Sequence, residues 1–219
     1  MDRLVELDSL FAEAALETLY IVALTLGIGG LGGLLLGVLL YTTRGGGIAA
    51  NRLVHVGLNL VVNFFRPIPF IIFIAAAQPL ARMVVGVGIG NRAIIFALSL
   101  AATFGISRIV EQNLVSVDPG VIEASRAMGA GRLRTILTVL LPEALGPLIL
   151  GYTFALVAIV DMSAVAGVVG GGGLGAFALT YGYRQFDPVV TWAAVLVIIA
   201  FVQMVQFAGN RLARSVMRR

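Results

Sequence analysis

A chain of 219 residues that is 59% hydrophobic and 12% charged, with a mean hydropathy of +1.02, is too apolar to stay dispersed in water, so its solvent is the bilayer. The net charge of +4 comes from fifteen arginines without a lysine, scattered between apolar runs rather than gathered on one face, which argues against nucleic-acid binding. Cysteine is absent, which excludes disulfides, thiol catalysis and cysteine-held metal clusters.

Residues 1–17 carry Asp2, Glu6, Asp8, Glu13 and Glu17 against Arg3, the opposite of a leader's basic start, and are expected to be retained and to lie outside. An apolar run over about residues 16–41 exceeds the roughly 20 residues that cross about 30 Å of hydrocarbon as helix. Within it Gly29, Gly33 and Gly37 recur every four residues, so they share one helical face that is predicted to pack closely on another helix. After Arg44-Gly45-Gly46-Gly47 a second run, about 53–77, is interrupted by Pro67 and Pro69, which predicts a kinked or broken span. Further spans fall at about 93–115, 144–167 and 189–209.

The fold class is therefore all-α: a polytopic transmembrane helical bundle of about five spans, one domain over residues 1–219, with no repeat of fixed period. Five crossings place the termini on opposite sides. Arg44, Arg52, Arg108, Arg126, Arg132, Arg134, Arg211, Arg214, Arg218 and Arg219 fall near one side, and Arg3, Arg82, Arg92 and Arg184 near the other. That bias puts the N-terminus outside and the C-terminus in the cytoplasm.

Between the third and fourth spans, Asp118 supplies an N-cap acid, Pro119 suits the first helical position, and Gly129 can adopt the left-handed conformation of a C-terminal cap. The resulting helix of about ten residues spans roughly 15 Å and cannot cross a membrane. It is a capped, mildly amphipathic helix on the arginine-rich side. Ala124, Ser125 and Ala127 are expected to leave a surface that another protein could approach closely.

Glu123-Ala124-Ser125, then Gly129 after three residues, then Val139-Leu140-Leu141-Pro142 after nine, resembles the EAA loop of bacterial ABC importer permeases, with Ser125 in place of alanine and Val139 in place of isoleucine. The resemblance implies that the loop, about residues 118–142, forms a coupling helix seated in a groove of a separate ATPase subunit. Glu123, Ala124, Ser125, Met128, Gly129, Leu141 and Pro142 would then transmit the closure of that subunit. The run Asn63-Phe64-Phe65-Arg66-Pro67-Ile68-Pro69-Phe70, the segments 122–129, 141–145 and 170–175, Tyr181-Gly182-Tyr183 and Gln206-Phe207-Ala208-Gly209 are similar, in the same order, to methionine importer permeases.

That likeness implies ATP-driven import of L- or D-methionine across the bacterial inner membrane. It implies two copies of this chain, two ATPase subunits that hold ATP and magnesium, and an external substrate-binding protein. The chain itself is then non-catalytic and carries no cofactor. A phosphate-cradling loop ends in Gly-Lys-Ser/Thr, and this sequence has no lysine.

Arg66 and Asp161 fall near the middle of their spans, where each unpaired charge costs about 2.5–3.5 kcal/mol on insertion scales. They are expected to face the translocation pathway or to pair with each other, Arg66 suiting a substrate carboxylate and Asp161 an ammonium. Equally open are a structural ion pair and bonds from Arg66 to carbonyls freed around Pro67 and Pro69. With Pro67, Pro69, Phe70, Met162 and Ser163 they make up the candidate pathway. Asp161 and Met162 depart from the family's pattern of a small residue and an aromatic before the Ser-Ala seen here as Ser163-Ala164, and a carboxylate there would favour a more polar or cationic amino acid. The glycine run at 170–173 reads either as a flexible gate or as a tight helix-to-loop turn.

Five spans are few for a closed pathway, and the glycine face of the first span offers a packing surface for a homodimer. The rival functions are a permease for another amino acid or small polar solute, an ATPase-independent channel or secondary transporter, and an intramembrane enzyme. Neither inverted repeats nor several midplane carboxylates support the second, and no histidine–carboxylate set supports the third. His55 stands alone and receives no role.

Overall fold

The structure is a computed structural model and describes residues 6–217. Asp2, Arg3, Arg218 and Arg219, which enter the charge readings above, lie outside the described residues. In chain order the helices are α1 (Asp8–Thr43), α2 (Arg52–Phe65), α3 (Phe70–Val85), α4 (Asn91–Val115), α5 (Pro119–Ala127), α6 (Arg132–Thr135), α7 (Leu141–Ala166), α8 (Gly173–Phe177) and α9 (Pro188–Met217). A π-helical turn, Ile136–Leu140, joins α6 to α7 without a break, and another, Ala178–Gly182, extends α8.

Four stretches are long and apolar enough to cross a membrane: Asp8–Thr43, Asn91–Val115, Arg132–Val169 and Pro188–Met217. The second span in chain order exists only as the pair α2 and α3, bent by 112° at residues 66–69. The cause is local. Arg66 still donates its N–H to the Val62 carbonyl at 3.0 Å, but Pro67 and Pro69 have none to give, and the Pro69 carbonyl starts a new helix by accepting from Ile72 and Phe73 at 2.9 Å each. Pro142 acts in the same way on the fourth span. Lacking an N–H for the Thr138 carbonyl, it lets the ladder slip, and Leu141 bonds to Ile136 across five residues to form the π turn.

The first span packs on the third through its glycine stripe. A Cβ on Gly29 would stand 2.8 Å from the Ala102 Cβ, and one on Gly33 would stand 2.6 Å from the Ile106 Cβ. On Gly37 it would lie 2.6 Å from the Ser107 carbonyl oxygen. Close helix contact is thus the use of the stripe, as the spacing predicts. The expectation that it offers a surface between copies is corrected, because α4 of the same chain already covers it. Val22, Ile106, Val110, Leu114, Leu140, Leu148 and Ile159 form the core between α1, α4 and α7.

Candidate functional site

At one end of the bundle, between α4 and α6, α5 is built by its caps. The Asp118 carboxylate accepts the Gly120 N–H at 2.8 Å, and Pro119 opens the first turn. Gly129 closes the helix at φ +82°, its N–H donating to the Arg126 carbonyl at 3.0 Å. Glu123, Ala124, Ala127 and Met128 are exposed, Met128 by 83%. Ser125 is not. It is 4% exposed, and its hydroxyl lies 3.3 Å from that of Thr135, which corrects its assignment to the free surface. The reason is helical phase: Ile122 and Ser125, three residues apart, both turn toward α6 and are the buried residues of α5. Leu141 packs half-buried against the core, whereas Pro142 is exposed and lines a groove of about 680 Å³ together with Val121 of α5. Glu123, Ala124, Met128, Gly129 and Pro142 therefore reach the surface, and Ser125 and Leu141 support them from behind.

Within the bundle, the 66–69 bend brings Arg66 and Phe70 to a cavity of about 240 Å³ that Met162 closes from α7. Phe65, Phe73 and Phe104 supply its aromatic wall, with Phe65 stacked on Phe104 at 4.8 Å between ring centres. Among the described residues the Arg66 guanidinium has no hydrogen-bond or ion-pair partner, either on Asp161 or on the carbonyls of the bend. The expected pairing within one chain is thereby corrected. Arg66 projects from the α2 end of the bend, and Asp161 is exposed on α7 rather than lining the cavity. Ser163 is buried, its hydroxyl donating to the Val160 carbonyl at 2.7 Å, and Pro67 and Pro69 are exposed in the bend.

One polar cluster escaped the sequence reading. Arg108, counted above with the arginine-rich side, is half-buried in α4, where it pairs with Glu111 and donates to the Asn59 and Asn63 side-chain oxygens at 2.6 and 2.9 Å. The Asn59 amide donates in turn to His55 Nε2 at 2.8 Å, so the other ring nitrogen, Nδ1, carries the proton and donates to the Leu40 carbonyl at 3.1 Å. His55 thus has a structural role. It links α2 to the last turn of α1, and Arg108 fastens α2 to α4. The signal was present as a polar residue every fourth position, His55, Asn59 and Asn63, in a helix otherwise apolar after Arg52.

Residues 33–218 match the family described as binding-protein-dependent transport system inner membrane component. The chain is 39% identical to the probable D-methionine transport system permease protein MetI of Vibrio cholerae, across 95% of this chain and 93% of that one. It is 40% identical to the D-methionine transport system permease protein MetI of Escherichia coli K12, across 85% and 86% respectively. Its fold superposes on a chain of the MetNI methionine ABC transporter, solved in inward-facing conformations, with a TM-score of 0.93 and 40% identity, covering 96% of this chain and 98% of the other. A family match over residues 33–218 and likeness of this extent make the chain a member of the family of binding-protein-dependent transport system inner membrane components.

Proposed function

We propose that this chain is the permease subunit of an ATP-driven importer that carries methionine into the bacterial cytoplasm. Two copies work with two separate ATPase subunits, which hold ATP and magnesium, and with an external protein that delivers the substrate. The chain lies in the inner membrane with its N-terminus outside, which places α5 in the cytoplasm beside Arg126, Arg132 and Arg134. The observation that carries this reading is the outer face of α5: Glu123, Ala124 and Met128 are exposed on a helix rigidly capped at both ends. Relatives named as methionine permeases support the choice of substrate.

In this mechanism ATP binding closes the ATPases and draws the two α5 helices together. The pathway turns from inward-facing to outward-facing, and the binding protein releases its ligand into it. The cavity at the bend supplies chemistry suited to methionine. Arg66, without a partner of its own, can take the carboxylate, and Phe65, Phe70, Phe73 and Met162 can take the thioether chain. Asp161 lies outside the cavity lining, exposed one residue before Met162, and would meet only an ammonium group that extends beyond the cavity. The same exposed carboxylate favours a second reading, a permease for a more cationic or polar amino acid.

Uptake of labelled methionine, with the ATPase and binding protein co-expressed, tests the proposal. ATP-dependent uptake that Glu123→Arg abolishes at equal membrane level supports it. Uptake that is indifferent to ATP or to Glu123→Arg refutes the coupling. Competition by a cationic amino acid, weakened in Asp161→Asn, would select the second reading.

A further inference from the structure

At the end of the bundle opposite α5, three elements far apart in sequence are tied by side chains to one backbone segment. Glu17 of α1 accepts the Asn91 amide N–H at 2.9 Å with one carboxylate oxygen and the Gly173 backbone N–H at 2.8 Å with the other. Asn91, the first residue of α4, accepts the Gly172 N–H at 2.8 Å. Thr18 accepts the Leu174 N–H at 2.8 Å and donates to the Ala14 carbonyl at 3.0 Å. The first amides of α8 are thus capped by α1 and α4 rather than by a residue of their own segment, where Gly172 has no side chain to offer.

The glycines are there to admit these groups. A Cβ on Gly172 would collide with the Glu17 carboxylate, and Gly173 sits at φ +89° with Thr18 against it. The run at 170–173 is therefore a pinned turn, and Glu17 holds its place without an arginine partner among the described residues.

This clasp reaches the candidate pathway through backbone contact. A Cβ on Gly175 would collide with the Ala164 Cα, and one on Gly167 with the Ala176 backbone, so α8 and the last turns of α7 touch without a side chain between them. Ala164 directly follows Asp161, Met162 and Ser163. Whatever fixes α8 fixes that turn of α7.

We infer that Glu17 and Asn91 are positioning residues for transport: by clamping α8 they hold the 161–164 turn of α7 and keep the outer end of the pathway shut until the ATPases act. The inference rests on the permease reading above. It asks of Glu17 an exact pairing of donors and acceptors, which bulk or charge alone cannot replace.

That pairing makes the test specific. Asn91→Asp sets two carboxylates against each other and should disrupt the clasp, whereas Glu17→Gln/Asn91→Asp exchanges the amide and the carboxylate and can rebuild every bond at unchanged net charge. The chain has no cysteine, so Met162→Cys gives one reactive thiol in the cavity wall. Its labelling by a membrane-impermeant maleimide is measured from outside the cell without nucleotide turnover, and methionine uptake per ATP hydrolysed is measured on the assembled transporter.

Expected is labelling about tenfold faster, and fewer methionines per ATP, in Glu17→Ala and Asn91→Asp, with both values restored to within about twofold by the exchange. Labelling and coupling that stay at wild-type values in Glu17→Ala and Asn91→Asp would overturn the inference. If the single variants do not reach the membrane, the exchange decides alone: wild-type labelling supports the clasp and fast labelling overturns it. A wild-type complex that hydrolyses ATP without importing methionine would refute the substrate reading instead, and the labelling would still judge the clasp.

Discussion

Gly33→Ala probes how α1 and α4 hold each other. A methyl group there would stand 2.6 Å from the Ile106 Cβ, 2.7 Å from its Cγ2 and 3.2 Å from the Ser107 nitrogen. On Gly37 it would meet the Ser107 carbonyl oxygen and the Val110 Cβ, both at 2.6 Å. These neighbours are backbone and branched carbons, with no flexible tip to swing aside, so α1 must withdraw from α4. A gap of about 1 Å forfeits a quarter to a half of the attraction at each contact along the helix pair. Overpacking of this kind costs about 1–3 kcal/mol, and about 2 kcal/mol lowers Tm by roughly 4–8 °C in a chain of this length. Gly27→Ala is the matched control, since nothing lies within 4 Å of its added methyl, and its Tm should hold or rise. Thermal unfolding of the three purified variants in one detergent reads the difference. Equal Tm values for Gly27→Ala, Gly33→Ala and Gly37→Ala would refute the close-packing argument.

Arg108→Leu leaves the part-buried Glu111 carboxylate and Asn59 oxygen without their partner, while the Asn63 oxygen is exposed, and should lower stability by about 2 kcal/mol, with Arg108→Leu/Glu111→Leu recovering part of it, as thermal unfolding will show. Phe186 is 92% exposed and held at φ 54°, a conformation that costs a side chain about 1–2 kcal/mol, so Phe186→Gly should raise Tm by a few degrees or leave it level. Gly129→Val places a β-branched residue at φ +82° and should unwind the end of α5, cutting uptake at equal membrane level, while Gly131→Ala, at φ −67° with open space around it, should not.

What could be read from the sequence was local. The caps of α5 sit in consecutive residues, the glycine stripe of α1 repeats at helical spacing, and the bend at 66–69 follows from two prolines. Each needs only the chain's own geometry. The partner of the stripe was not legible, because four-residue spacing says that a helix approaches and not which one. The inward turn of Ser125 needed the direction of α6, and the mutual distance of Arg66 and Asp161 needed the relative rotation of the bend and α7. Glu17 read as one acid among several at the N-terminal end. Its partners lie 74 and 156 positions away, and only the parallel course of α1 and α4, with α7 running back against both, brings them to one end.

The fourth span joins the two ends of the molecule mechanically. Arg132–Val169 runs continuously for 38 residues, carrying α5 against Thr135 at one end and the 161–164 turn against α8 at the other. Its ladder is interrupted at the π turn Ile136–Leu140 and at Pro147, both on the α5 side, so the remainder up to Ala166 behaves as a rod. A tilt of about 5° at Pro147 moves a point roughly 24 Å away, near Ser163, by about 2 Å. A displacement of α5 is therefore delivered to the cavity wall at Met162 with little loss in between. Whether the wall moves depends on what opposes it at the far end, and there the opposition is the hydrogen-bonded hold of Glu17, Asn91 and Thr18 on α8. On the proposed mechanism, the push of the ATPases is what overcomes the intact hold. With it weakened, thermal motion alone would open the same end, which is why loss of coupling and exposure of position 162 are expected together in Glu17→Ala.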